Sequence, residues 1–269
     1  LGLNIMHCGE FDRLAVVHWS QWPETLERGK REGLPDHGDV RKHLGAEPHW
    51  AFVGVNVALH PAFAEEVYEE TDEYRIYRDR EGVVCKDFKH ASSIPHYLDY
   101  TLKDASGWET YKQRLQPDAG RIPDDLDERI ARAEASGLPI AVATGSMMGW
   151  IRNWMGVENM SFLMFDAPAV YGEMVRTIAE LTCWGIDQVV PRMSRPPDMG
   201  FGWEDIAGRS GPLVSPAIFR QHVAPGYRMI REKLESYGVP LLGIDSDGDV
   251  EPLVADWLDA GVNVLFPIE

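Results

Sequence analysis

Hydrophobic and polar residues follow two periods along this chain, and the second half is the clearer. Leu138–Thr144 is a short apolar run that closes on Gly145-Ser146. Before it, Asp124–Ser136 is helix-forming and stops at Gly137. Asp166 followed by Pro168 opens a long helix with Val170, Met174, Ile178 and Leu181 on one face. Ser215-Pro216 opens another, in which Phe219, Val223, Tyr227, Ile230 and Leu234 recur at steps of three or four; a kink is expected at Pro225 and a stop at Gly238. Leu241–Ile244 reads as a buried strand. Asp249 caps a helix striped by Val250, Leu253, Val254, Trp257 and Leu258, which ends at Gly261 before the strand Val262–Phe266. This β-α-β-α-β order predicts a parallel sheet covered by helices.

The first half is less regular. Leu14–Trp19 reads as a strand and Pro23–Glu32 as a helix, whereas Glu65–Phe88 alternates as antiparallel strands do, about a turn at Arg80-Glu81-Gly82. That stretch is read as an excursion from a barrel. Together with Ala51–Val57, Ile140–Thr144 and Met199–Trp203, the core strands number about six, short of the eight that a closed (β/α)8 TIM-type barrel requires. The expectation is one barrel domain over residues 1–269, with its last strands lying beyond Glu269. No repeat, low-complexity tract or Ser/Gly linker divides the chain.

Composition adds limits. The chain has 269 residues, 44% hydrophobic and 26% charged, which suits a globular protein with a substantial core. Lys and Arg total 26 against 43 Asp and Glu, a net charge of −17 that repels phosphate backbones and anionic lipid, so neither nucleic acid nor an acidic membrane is an expected partner. The sequence shows neither a membrane span nor a secretion signal. Cys8, Cys85 and Cys183 are scattered and odd in number, as expected of reduced thiols in a cytoplasmic protein.

In parallel barrels chemistry gathers where strands end, because the loops there vary without disturbing the core. Five such ends carry polar or aromatic groups: His18-Trp19-Ser20, Gly145-Ser146, Trp203-Glu204-Asp205, Asp245-Ser246-Asp247-Gly248-Asp249, and Glu269. Helix capping accounts for Asp249 and Ser215. Glu204, Asp205, Asp245 and Asp247 are the candidate catalytic groups, since carboxylates converging on one mouth repel unless a proton, a cation or a basic substrate intervenes. His18, Trp19, Ser146, Trp150, Trp203 and Glu269 are the candidate substrate contacts. Asp245 and Asp247 are candidate ligands for a divalent metal. The run is not a calcium loop, because Gly248 precedes Asp249 and a strand leads in. No histidine pair has the helical spacing of zinc ligands, and Gly145-Ser146 lacks the glycine repeat and lysine of a phosphate loop. Met147, Met148, Trp150, Trp154 and Met155 form a bulky apolar face that serves either as core or as a wall for a flat or methylated ligand. Asn159-Met160-Ser161 matches a glycosylation pattern by chance.

Four groups of residues together resemble the uroporphyrinogen decarboxylase superfamily, over nearly the whole chain. They are Glu10-Phe11-Asp12-Arg13-Leu14; Gly145-Ser146 with Trp150 and Asn153-Trp154-Met155-Gly156; Trp203-Glu204-Asp205 with Gly211-Pro212-Leu213-Val214-Ser215-Pro216; and Asp245-Ser246-Asp247-Gly248. The resemblance implies a distorted (β/α)8 barrel with two further strands and their helices. The superfamily's decarboxylases open with Arg-Pro-Pro-x-Trp-x-Met-Arg; here Arg13 fits the first arginine and Ser20 stands where the second falls. Asn153 stands where they carry a tyrosine. Its methyltransferases carry His-x-Cys-Gly, whose His and Cys hold a thiol-activating zinc, where this chain has Asp245-Ser246-Asp247-Gly248. Aspartates are hard oxygen donors, suited to another cation or to an ammonium-type methyl donor rather than to zinc with a thiol. The resemblance therefore implies a methyltransferase-like enzyme acting on a small methylated substrate, with a corrinoid on a partner protein as acceptor and Asn153 among the substrate contacts. A uroporphyrinogen decarboxylase and a non-catalytic ligand-binding barrel are the alternatives. A decarboxylase requires a basic mouth, a methyltransferase an apolar mouth with a few acidic groups, and a binding module neither a perturbed carboxylate nor a metal.

Overall fold

In a computed structural model that describes residues 1–19, 21–35, 40–90 and 92–267, the strands in chain order are β1 (Ala51–Val53), β2 (Glu66–Glu70), β3 (Tyr74–Arg78), β4 (Val83–Phe88), β5 (His96–Tyr100), β6 (Ile140–Gly145), β7 (Met199–Trp203), β8 (Ala207–Gly208), β9 (Gly211–Pro212), β10 (Leu241–Asp245) and β11 (Val264–Phe266). Five of them form a parallel sheet in the order β1-β6-β7-β10-β11. That is chain order throughout. A doubly wound sheet reverses its order at a switch point, whereas strands laid down in chain order curl one way, as in a TIM-type fold. Among the described residues the curve is not closed, and β1 and β11 are its edges.

Alternation along each strand separates two faces. Val53, Ile140, Val142, Leu242 and Ile244 join the main core with the helices Leu126–Ala135, Pro168–Val189, Ala224–Ser236 and Glu251–Asp259. Residues of opposite parity, Ala141, Met199, Phe201 and Leu241, form a separate inner cluster with Met6, Trp50, Val264 and Phe266. The helices form for the reasons legible in their spacing. Pro168 occupies the first turn of Pro168–Val189, and Tyr171, Met174, Ile178, Leu181 and Gly185 are buried along one stripe. Ahead of Pro225 the chain makes a π-helical turn, Phe219–Val223, before continuing as Ala224–Ser236, so the expected kink takes that form.

Two sequence expectations need correcting. Leu14–Trp19 is not a strand: it makes one parallel bridge, Val17 to Glu47, and leaves Leu14 and Val16 exposed, because among the described residues no strand lies beside it to complete a ladder. The strand expected at Ala51–Val57 stops at Val53. Beyond it the backbone groups are diverted: Asn56 Oδ1 accepts from the Ala58 N–H, and the buried Arg121 guanidinium donates to the Asn56 and Ala58 carbonyls at 3.0 and 2.7 Å.

The Glu65–Phe88 segment forms β2, β3 and β4, antiparallel, with β3 and β4 joined by the turn at Arg80-Glu81-Gly82; β5, which the alternation did not reveal, completes this second sheet. It docks on the helix Gly149–Asp166 at Gly156, where φ is +75° and a Cβ would lie 2.7 Å from the Tyr100 ring. No helix of the described residues is long and apolar enough to cross a membrane. Cys8, Cys85 and Cys183 are all unbridged.

Candidate active site at the strand ends

Parity decides what reaches the mouth of the parallel sheet. Phe201 and Trp203 on β7, Gly243 and Asp245 on β10 and Phe266 on β11 share the inner face, with Asp245 in register with both Trp203 and Phe266. Above them lies a cavity of about 450 Å³, walled by the rings of Trp19, Phe52, Trp150, Phe201 and Trp203 and floored at one side by Asp245. Trp150 gets there because Gly145 turns the chain at φ +65°, where a Cβ would lie 2.5 Å from the indole. The Trp150 ring stacks on Trp154 at 6.3 Å and stands at 83° to Trp203, 6.4 Å away. Trp19 packs 5.5 Å from Phe266 and 6.5 Å from Phe201. Trp19 and Phe52 remain 42% and 47% exposed, so this side is the entrance.

Asp245 is half-buried, and its carboxyl is pushed up to about 6, first by burial and then by the charges of Asp205 and Asp247. Those two carboxylates flank the cavity rather than line it. Asp205, held at φ +48°, faces Arg152: the guanidinium donates to the Asp205 carbonyl, and its other nitrogen lies 3.6 Å from the carboxylate. Asp247 is exposed.

Glu204 points the other way. One residue beyond Trp203, it has the opposite parity and is fully buried on the helix side. Its carboxylate accepts the Met147 N–H at 2.7 Å, the Met148 and Gly149 N–H groups at 2.8 Å each, the Ser146 hydroxyl at 3.0 Å and the Tyr227 hydroxyl. Burial raises its pKa and these donors oppose the rise. The three N–H groups can only donate, so the arrangement fits the ionised carboxylate, placed at the N-terminus of the helix Gly149–Asp166. Ser146 is consumed by the same cradle. The Glu204 N–H donates to the Asp245 carbonyl at 2.8 Å, which fixes the two strand ends together.

The structure thus brings Trp19, Trp150, Trp203 and Asp245 to one cavity, with Asp205 and Asp247 beside it, and keeps Glu204 and Ser146 behind the wall. His18 lies in a different hollow, bonded to Gln21 at 2.7 Å. Asn153 accepts from Arg152 at 3.1 Å. Glu269 and Ser20 lie outside the described residues. Arg13 pairs with Glu47, away from the cavity lining. Ser215 caps its helix as expected, accepting from the Ile218 N–H, whereas the N-cap of Glu251–Asp259 is Val250 and Asp249, one residue earlier, accepts from the Glu251 N–H in a local turn. Reasoning from strand ends missed Phe52 and Phe201, which the inner-face alternation identifies. It also missed Arg152, Tyr227 and Arg121, whose partners are distant in sequence.

Among the described residues no basic side chain lines the cavity. Among the described residues no group of three or more His, Cys, Asp and Glu side chains is placed to share an ion. Ser246, between Asp245 and Asp247, is buried, and its hydroxyl accepts from the Ile206 N–H at 3.3 Å. These donors do not fit a thiol-activating zinc. A second apolar hollow of about 500 Å³ lies at the opposite end of the sheet under Leu1–Met6, where Arg195 pairs with Asp198 at 3.1 Å. Barrel chemistry sits at the other end, where the strands point.

Strand order and outer helices define an α/β protein with a parallel central sheet, consistent with a TIM-type fold. Among solved structures, the fold is similar to that of a methyltransferase from Methanosarcina mazei, with a TM-score of 0.56 and 14% sequence identity over 98% of this chain and 73% of that one. No protein-family model matches the chain, and no curated protein matches it in sequence.

Proposed function

We propose that this chain is a methyltransferase-like enzyme of the uroporphyrinogen decarboxylase superfamily, which takes a methyl group from a small methylated substrate and passes it to a corrinoid carried by a partner protein. The observation that carries the reading is the cavity itself: aromatic walls and, among the described residues, one carboxylate and no basic group. Such a mouth suits a methylated molecule and offers nothing to hold the several carboxylates of a porphyrinogen, so decarboxylation is the weaker alternative. The fold shared with the methyltransferase from Methanosarcina mazei supports the same reading. A reduced corrinoid supplies a strong nucleophile for the methyl group. The chain's own part is to desolvate the substrate between Trp150 and Trp203 and to aim it outward past Trp19, on the open side. The methyl carbon leaves without its bonding pair, which stays on the substrate heteroatom.

The test is spectroscopic. Purified protein is mixed with reduced cobalamin and, separately, a methylated amine, a methyl ether and a methyl thioether, and loss of the reduced-cobalt absorption is followed. Methylation above the protein-free rate with at least one donor, lost in Trp150→Ala, is the expected result. No donor exceeding the background rate, with carbon dioxide released from a porphyrinogen instead, would establish the decarboxylase alternative.

A further inference from the structure

We infer that the cavity binds its substrate as a methylated cation, an N-methylated ammonium group, with Asp245 as counter-ion and Trp19, Trp150 and Trp203 as the walls. The inference deepens the methyl-transfer reading by naming the charge class of the substrate, and its binding test stands apart from turnover.

Three observations converge. First, among the described residues five aromatic rings surround the space and a single charged side chain, a carboxylate, enters it. Ring faces carry negative potential and attract a cation whose charge is spread over methyl groups, most strongly for tryptophan. Trp150 and Trp203 stand nearly at right angles, so a compact ligand meets two ring surfaces at once. Secondly, the cavity has few hydrogen-bonding groups to give. Asn56 lines it, but its side-chain oxygen is engaged by the Ala58 N–H. A metal ion needs several oxygen ligands and a primary ammonium needs several acceptors; a quaternary ammonium has no N–H and needs none. Thirdly, two neighbouring carboxylates, Asp205 and Asp247, act on Asp245, even with Arg152 paired to the first. Both raise the cost of ionising it. A neutral ligand would seal that carboxylate under an apolar lid without relief, and an anion would be repelled, whereas a cation removes the conflict. About 450 Å³ is also in the range of a small-molecule site.

The products obey the same logic. When a quaternary ammonium gives up a methyl group as a carbocation equivalent, the nitrogen keeps the C–N electron pair and becomes a neutral tertiary amine.

The experiment compares choline with 3,3-dimethylbutan-1-ol, its uncharged carbon analogue of the same shape, by calorimetry and tryptophan fluorescence on the full chain. Choline should bind about tenfold or more tightly than the alcohol. Asp245→Asn should bring the two affinities to within about threefold of each other, and Trp203→Leu should weaken choline more than the alcohol. Equal binding of the two by the wild-type protein, no measurable choline binding, or an unchanged preference in folded Asp245→Asn would overturn the inference. Should Asp245→Asn fail to fold, the wild-type comparison decides alone. Choline binding without methyl transfer would remove the methyl-transfer reading and leave this one standing; transfer from neutral ethers alone would do the reverse.

Discussion

One buried and one half-buried carboxylate follow neighbouring strands, and they could hardly be treated more differently by their surroundings. Glu204, behind β7, is enclosed on the helix side and collects five donors, three of them backbone N–H groups that have no other role to play there. Asp245, at the end of β10, faces inward and has two further aspartates as its charged neighbours, Asp205 and Asp247, with Arg152 paired to the first of these. Burial alone does not mark a functional acid. What separates them is whether the fold has already supplied what an ionised oxygen needs.

Removing each group should therefore have opposite effects, and the largest comes first. Glu204→Ala strips the acceptor from five donors at a buried helix N-terminus, and unfolding in urea should show a loss of about 3–5 kcal/mol. A loss below about 1 kcal/mol would mean that water replaces the carboxylate and that the cradle is not structural. Tyr227→Phe removes one of the five and should cost about 1–2 kcal/mol, with the fold retained. Asp245→Asn should instead stabilise the empty protein by about 1 kcal/mol at pH 7, after allowance for the water that reaches this half-buried group.

The pH dependence sharpens the contrast. The folded-state pKa of Asp245 is raised to about 6 from an ordinary 3.8. The folded protein therefore holds this proton more tightly than the unfolded chain, so the associated stability is full below about pH 4 and is lost as pH rises through about 6. Subtracting the Asp245→Asn curve from the wild-type curve should isolate that slope; a flat difference would show that Asp245 is not perturbed. The smallest effect belongs to His18→Ala. Since His18 lies in another hollow with Gln21, choline affinity should change by less than about twofold.

The parallel sheet was legible because buried parallel strands are continuous apolar runs bounded by glycine and by helix caps; Met199–Trp203 needed no adjustment at either end. The first half was not, because the neighbour decides there: Leu14–Trp19 has strand composition without a strand to pair with. At the mouth, Asp245 and Trp203 could be placed from strand order. Glu204 could not, because grouping acids by strand end overlooks the period of two that turns consecutive residues to opposite faces. Nothing local announces Tyr227 as its partner, 23 residues on, or Arg152 as the partner of Asp205, 53 residues away.

The internal cradle also sets what the protein ignores. A helix N-terminus beyond a parallel strand is where many α/β proteins seat a phosphate. Here the start of Gly149–Asp166 is filled by the chain's own Glu204, tethered at an effective concentration that no dissolved anion matches. Orthophosphate and nucleotides consequently find no vacancy at this end, and assays can be run in phosphate buffer without competition for the mouth. Competition should come from N-alkylated ammonium ions without N–H donors to satisfy, so tetramethylammonium salts are the ones to avoid.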